Sequence, residues 1–273
     1  MQKPLFSVII PALNEEKFLP TLLDSLVRQT KKNFEVIVVD GKSKDQTVKV
    51  ARLYSKKIAH LQVIVSSKAN LPFQRNLGAS KAQGDWLVFA DADGKFLPYF
   101  FDSAKAFIDT EKPSVFFPWF MPDSLVSGDA LFILLSNIVI EMSIVVKRQV
   151  APGQLTVVSR NAYDAVGGYS EDHSIFEDFD FGLRLYKAGF HMSVLRETLF
   201  VYSLRRYRNE GKLKVMQQYA KGAIVGLFTK TALKSMPGYI MGGQLYGKRK
   251  HAKESVLKQY EKKLRKLSKE LFS

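Results

Sequence analysis

Apolar positions in the first third of the chain fall into two alternating patterns. Phe6-Ser7-Val8-Ile9-Ile10-Pro11, Phe34-Glu35-Val36-Ile37-Val38-Val39-Asp40, Leu61-Gln62-Val63-Ile64-Val65 and Trp86-Leu87-Val88-Phe89-Ala90 are short, nearly unbroken apolar runs. Runs of that length read as strands buried on both faces. Between the first two, Phe18, Leu19, Leu22, Leu23, Leu26 and Val27 recur at intervals of three and four, the mark of an amphipathic helix. Gly41 to Thr47 reads as a turn before a helix through Val50, Leu53 and Tyr54. Ser66 to Phe73 reads as a loop before a helix over Gln74–Ala82. Strands alternating with helices predict an α/β fold, a mostly parallel, twisted sheet covered on both faces.

The pattern beyond Asp93 is less regular. Phe96 to Ile108 reads as a helix, and Val115 to Phe120 as a strand interrupted by Pro118. Asp129 to Val146 is strongly apolar, broken only by Ser136, Asn137, Glu141 and Ser143. A membrane-spanning helix takes roughly 20 apolar residues, and Glu141 near the middle would be costly there. The stretch is therefore expected to be a buried or membrane-facing amphipathic helix. Gln154 to Ser159 reads as a strand, and Arg160 to Val166 as a short helix stopped by Gly167-Gly168. Phe176 to Gly189 reads as a helix with acids at its start and a glycine at its end. Asp180 and Arg184, four apart on it, are expected to pair. Met192 to Leu195 is the last strand expected.

Composition changes this picture in two places. An apolar fraction of 46% with 12% aromatics supports a large core, and the absence of cysteine excludes disulfides, zinc–thiolate sites and cysteine nucleophiles. The apolar run at Ser7–Pro11 is too short, and lacks the basic start and cleavage site, to read as a cleavable signal. The net charge of +15 is unevenly distributed: residues 1–195 hold 22 Lys/Arg against 21 Asp/Glu, residues 196–273 hold 19 against 5. Leu213 to Leu233 has helical periodicity, and Leu257, Tyr260, Leu264, Leu267 and Leu271 repeat at three and four among lysines and arginines. We therefore expect a catalytic domain over 1–210 and a basic amphipathic helical extension over 211–273. Its charge fits an anionic membrane surface, and the expected location is cytoplasmic, peripheral at the cytoplasmic face of a membrane. Aromatic residues are too thinly scattered in this region for a base-stacking nucleic-acid surface, and no Gly-Lys-Ser/Thr phosphate loop is present.

Candidate chemistry gathers at the strand ends. Asp40 ends the second strand, and Asp91-Ala92-Asp93 follows the fourth. Sheets of this kind bind ligands beyond the carboxyl ends of their strands. Two carboxylates one residue apart can hold a divalent cation against a diphosphate. Glu177 and Asp178 open a later helix, where a carboxylate can face a cleft.

Four short motifs, in this order, resemble the family-2 glycosyltransferases of the GT-A fold. They are Ser7-Val8-Ile9-Ile10-Pro11-Ala12-Leu13-Asn14-Glu15-Glu16, Val39-Asp40-Gly41-Lys42-Ser43-Lys44-Asp45-Gln46-Thr47, Gly84-Asp85-Trp86-Leu87-Val88-Phe89-Ala90-Asp91-Ala92-Asp93 and Glu177-Asp178-Phe179-Asp180. Arg75-Asn76-Leu77-Gly78-Ala79 matches the linking helix, and the resemblance runs from Ser7 to about Arg208. It is nearest the dolichol-phosphate-mannose-synthase-like, non-processive members, because the Gln-x-x-Arg-Trp signature of processive synthases is absent.

By that resemblance the donor is a UDP- or GDP-sugar, and Pro11, Leu13, Asn14 and Glu15 line its nucleotide pocket. Asp40 accepts a hydrogen bond from the base, and Arg75 lies near base or phosphate. Asp91 touches ribose or metal beside Ala92, and Asp93 ligates Mg²⁺ or Mn²⁺. Asp178 is the general base, supported by Glu177 or Asp180, and Arg205, Arg206 and Arg208 close over the diphosphate. The implied activity is metal-dependent, inverting transfer of one sugar. The basic tail and the apolar 129–146 stretch point to a lipid-phosphate acceptor, a soluble saccharide or protein acceptor being the alternative. A non-catalytic nucleotide-sugar-binding protein is the further alternative.

Overall fold

The computed structural model describes residues 3–147, 151–173, 175–212 and 214–218. Four strands, β1 (Phe6–Ala12), β2 (Phe34–Asp40), β3 (Leu61–Val65) and β4 (Trp86–Ala90), form a parallel half-sheet in the order β3-β2-β1-β4. Every residue of β1, β2 and β4 is buried, as the unbroken apolar runs require. β7 (Leu155–Ser159), β6 (Val115–Pro122), β8 (Met192–Tyr202) and β5 (Lys95–Phe96) extend the sheet to eight strands in the order β3-β2-β1-β4-β7-β6-β8-β5. β7 is antiparallel to both β4 and β6, so the mixed half is joined to the parallel half through β7.

The linking helices are α1 (Leu19–Val27), α2 (Thr47–Leu53), α3 (Leu71–Lys81), α4 (Phe100–Glu111), α5 (Ser127–Val145), α6 (Arg160–Ala165), α7 (Glu177–Lys187) and α8 (Arg205–Glu210). α1 buries Leu19, Leu22, Leu23 and Leu26, the apolar stripe seen in the sequence. α3 lies close on β1: a Cβ on Gly78 would come within 2.4 Å of Ile9 Cγ2, so only glycine fits there.

Several boundaries differ from the sequence reading. α3 begins at Leu71, inside the expected loop. The Asn70 side chain accepts from Phe73 N–H at 2.8 Å, and Pro72 sits in the first turn, where no N–H is needed. Phe96 is in strand β5, paired with Phe200 of β8, and the helix expected from Phe96 starts only at Phe100. Pro98 accounts for this, since the residue before a proline avoids the helical region. β8 runs on past Leu195 to Tyr202, the register with β6 shifting around Pro118 and Trp119.

For α5, expected to be a buried or a membrane-facing helix, the first alternative is excluded. It is helical, but it buries only Asp129, Ile133 and Asn137, so it is not a buried helix. Residues 219–273, with most of the basic extension, lie outside the described residues. Before them, residues 214–218 are helical, and Val215 is fully buried in the core.

Candidate active site

The parallel pairing of β2, β1 and β4 brings three strand ends to one rim: Asp40, Ala12 and the loop after Ala90. Polar contacts fix the turns there. Gly41 N–H donates to Ala12 O at 2.7 Å, and the buried Gln74 amide donates to Ala12 O at 3.1 Å and Val39 O at 2.7 Å. Asn14, in the left-handed region at φ 56°, donates its N–H to Ser43 Oγ and accepts from Lys44 N–H, both at 2.8 Å. Pro11 is buried in β1, and Leu13 and Asn14 are half-buried at its mouth. Asp40 is 1% exposed; its Oδ2 accepts from Ser43 N–H at 3.0 Å, while its buried Oδ1 has no partner among the described residues. An acceptor held in that way suits a ring N–H.

Two arginines organise the carboxylates. Arg75, on α3, is fully buried, and its guanidinium reaches Asp178 Oδ1 at 2.5 Å, Glu177 Oε1 at 3.3 Å and Asp91 Oδ1 at 3.3 Å. It also donates to Gly153 O at 2.9 Å and lies 4.9 Å from the Tyr169 ring centroid. Thus β4, α7 and the loop before β7 meet on one side chain. Arg205, on α8, makes a bidentate pair with Glu15 at 2.6 and 2.7 Å, reaches Asp93 Oδ2 at 3.1 Å and covers the Phe18 ring at 4.2 Å.

The remaining candidates are placed as follows. Ala92 is buried between Asp91 and Asp93. Arg206 pairs with Glu210 at 2.9 Å, and Arg208 makes a bidentate pair with Asp123 at 2.7 and 2.6 Å, while Arg205 is bound to the site carboxylates Glu15 and Asp93. Asp180 pairs with Arg184 at 2.7 Å along α7, as its spacing implies. Sequence reasoning missed Gly153, Tyr169, Phe18 and Gln74. The Pro152-Gly153 pair reads only as a turn, yet a Cβ at 153 would stand 2.7 Å from Asp178 Oδ2.

Burial works against negative charge here more than the two arginines offset it. Burial pushes Asp178 up to about 8; Arg75 opposes this and Glu177 adds to it. Burial likewise holds Asp91 at about 7, again opposed by Arg75. The neighbouring charge of Asp93 adds to the rise at Asp91. Glu15 and Asp93 are also raised by burial, each opposed by Arg205.

This crowding of carboxylate oxygens bears on whether a divalent cation fits. Hard cations such as Mg²⁺ and Mn²⁺ prefer oxygen ligands and often take only one or two carboxylates, completing the shell from phosphate and water. Among the described residues no group of three or more acidic, histidine or cysteine side chains is arranged for a metal. The two acids expected to hold a cation, Asp91 and Asp93, are each bound to an arginine, Arg75 and Arg205 respectively.

Comparison with known proteins agrees with the fold. Residues 7–133 match the glycosyl transferase family 2 domain. A PGL/p-HBAD biosynthesis glycosyltransferase of Mycobacterium bovis is 29% identical over 194 residues, covering 68% of this chain and 71% of that protein. Among solved structures, Staphylococcus aureus TarS 1-349 in complex with UDP-GlcNAc superposes with a TM-score of 0.61 at 24% identity, over 73% of this chain. A mannosyltransferase of Pyrobaculum calidifontis in complex with GDP-Man and Mn²⁺ gives 0.58 at 19% identity, over 76% of this chain. The chain spans 58% and 59% of those two structures, respectively, and at these identities they establish the fold.

Proposed function

Since this chain belongs to the family-2 glycosyltransferases of the GT-A fold, we propose that it is an inverting, metal-dependent enzyme. It moves one sugar from a UDP- or GDP-sugar to a lipid-phosphate acceptor at the cytoplasmic face of a membrane. The observation that carries this reading is the carboxylate set around Arg75: Asp178 on α7, held at about 8, within reach of the same guanidinium as Asp91 at the end of β4.

In this reading the base lies over Asp40, whose unpartnered Oδ1 accepts its N–H. Leu13, Asn14 and Pro11 form the wall of that pocket. Asp93 and Asp91 would hold a divalent cation, which when bound would supply positive charge against the departing diphosphate. Asp178 takes the remaining proton of the acceptor phosphate as one of its oxygens bonds to the anomeric carbon, and the bond from that carbon to the diphosphate breaks on the opposite side. Attack in line with the leaving group inverts the anomeric centre. Arg75 positions Asp178 and tunes its proton affinity. Arg205 stands against Asp93 and Glu15, next to where the diphosphate would bind, with Arg206 and Arg208 behind it on α8.

The pH dependence follows from the raised carboxyl. A general base works only when unprotonated, so kcat/KM rises as pH increases toward and through about 8. A profile already level well below that value would contradict Asp178 as the base.

The experiment for the whole reading supplies UDP- and GDP-sugars with two acceptors, a polyprenyl phosphate in vesicles and a soluble saccharide. Transfer to the lipid with inverted anomeric configuration is expected from one nucleotide class. Retained configuration would remove the in-line step, and transfer to the saccharide alone would replace the acceptor.

A further inference from the structure

Helix α5 is apolar on nearly every side, with Ile133, Ile140 and Ile144 packed against the core, and its polar side chains also turn inward. Asp129, Ile133, Asn137 and Glu141 follow one another at intervals of four and so lie on one face. That face is turned to the protein: Asp129 pairs with Lys212, and Asn137 exchanges two hydrogen bonds with the Phe120 backbone at 2.9 and 3.2 Å. Glu141 accepts from Trp119 Nε1 at 3.4 Å and from Arg196 Nε at 2.9 Å. The opposite face holds Leu131, Leu135, Ile138, Val139, Met142 and Val145, each 44–68% exposed. A helix on a water-facing surface has the reverse arrangement, and an apolar patch of this extent marks a contact site. The patch continues past Leu134 into a groove of about 590 Å³ between α5 and β6, lined also by Met121 and Leu125.

We infer that this face of α5 docks the protein onto an anionic phospholipid bilayer, lying in the interface with its apolar side chains among the lipid chains. The inference deepens the lipid-acceptor reading and rests on it. Charge selects the partner. Residues 196–273 carry 19 Lys/Arg against 5 Asp/Glu, and the start of this basic segment is fixed against α5 and the turn before it by the pairs Arg196–Glu141, Arg208–Asp123 and Lys212–Asp129. An exposed apolar face beside the start of a basic segment matches an anionic lipid surface. A second copy carries the same net charge of +15, which opposes self-association. α5 lies on the bilayer rather than spanning it, because ion pairs near both its ends hold it to the rest of the domain. At 19 residues it is about 28 Å long.

The test uses the full chain and vesicles of phosphatidylcholine with or without phosphatidylglycerol. The parent should float with the anionic vesicles, and Ile138→Glu/Val139→Glu should float roughly tenfold less or worse. UDP and GDP titrations on that variant check its fold. Because the chain has no cysteine, Val139→Cys and Leu53→Cys each accept a single environment-sensitive fluorophore. The label on α5 should shift to the blue on vesicles, and the one on α2 should not. Equal flotation of parent and variant, no shift at 139, no flotation of the parent, or a parent dimer that the variant splits would each overturn the inference. Should flotation depend only on residues 219–273, the inference fails while the lipid-acceptor reading stands. Docking through α5 without transfer to a lipid would remove the acceptor reading alone.

Discussion

Asp178→Asn should lower sugar transfer by roughly 10²–10⁴-fold, the range expected for loss of a general base, while nucleotide binding stays near the parent's. The separation follows from placement. Asp178 is on α7, beyond Arg75, whereas the groups assigned to the nucleotide are at the ends of β1, β2 and β4. The same substitution should act on stability with a definite sign. Asp178 is held at about 8 against an ordinary value of 3.8, so the folded state binds its proton more tightly than the unfolded state. That contribution is fully present below 3.8 and is lost as pH rises through about 8. Asparagine resembles the protonated acid and does not titrate. The thermal midpoint of Asp178→Asn should therefore gain on the parent's as pH rises through that window. A gap that narrows instead would show Asp178 to be stabilised in its charged form.

Arg75→Gln should have the largest effect on stability, about 3–5 kcal/mol, because it leaves a buried set of acids without its cation. Asp91, Glu177 and Asp178 would then face one another with no guanidinium among them. Their proton affinities would rise further, so the loss should be larger above pH 8 than below it, and the acid limb of kcat/KM should move to higher pH. Arg75→Lys keeps the charge but not the fork that spans three carboxylates, and should fall between the two. Urea unfolding on either side of pH 8 checks all three proteins. A pH-independent loss would mean that Arg75 acts through packing on Tyr169 rather than through charge.

Much of the parallel half was legible from the sequence, because β1, β2 and β4 are buried along their whole length and announce themselves as unbroken apolar runs. The acids at their ends were legible for the same reason: a strand that stops at Asp40 or Asp91 delivers that residue to the rim. The mixed half was harder to read. β5 has two residues, and its pairing with β8 is a long-range contact that local pattern does not carry. Arg75 could be picked out from its motif, but its meeting with Glu177 and Asp178, more than a hundred positions away, depends on how α7 crosses the sheet. Gly153 left only a turn signal. α5 was recognised as apolar, but periodicity does not say which face turns inward, and here the polar row does.

The most direct test of the central claim, that the rim formed by Asp40, Asp91 and Asp93 is a metal-dependent nucleotide site, is a calorimetric titration. UDP and GDP would each be titrated with and without Mn²⁺, into the parent and into Asp93→Ala. One nucleotide should bind in the micromolar range with metal, far more weakly without it, and weakly to Asp93→Ala under both conditions. Folded protein that binds neither nucleotide, or that binds one equally well without metal, would contradict the claim.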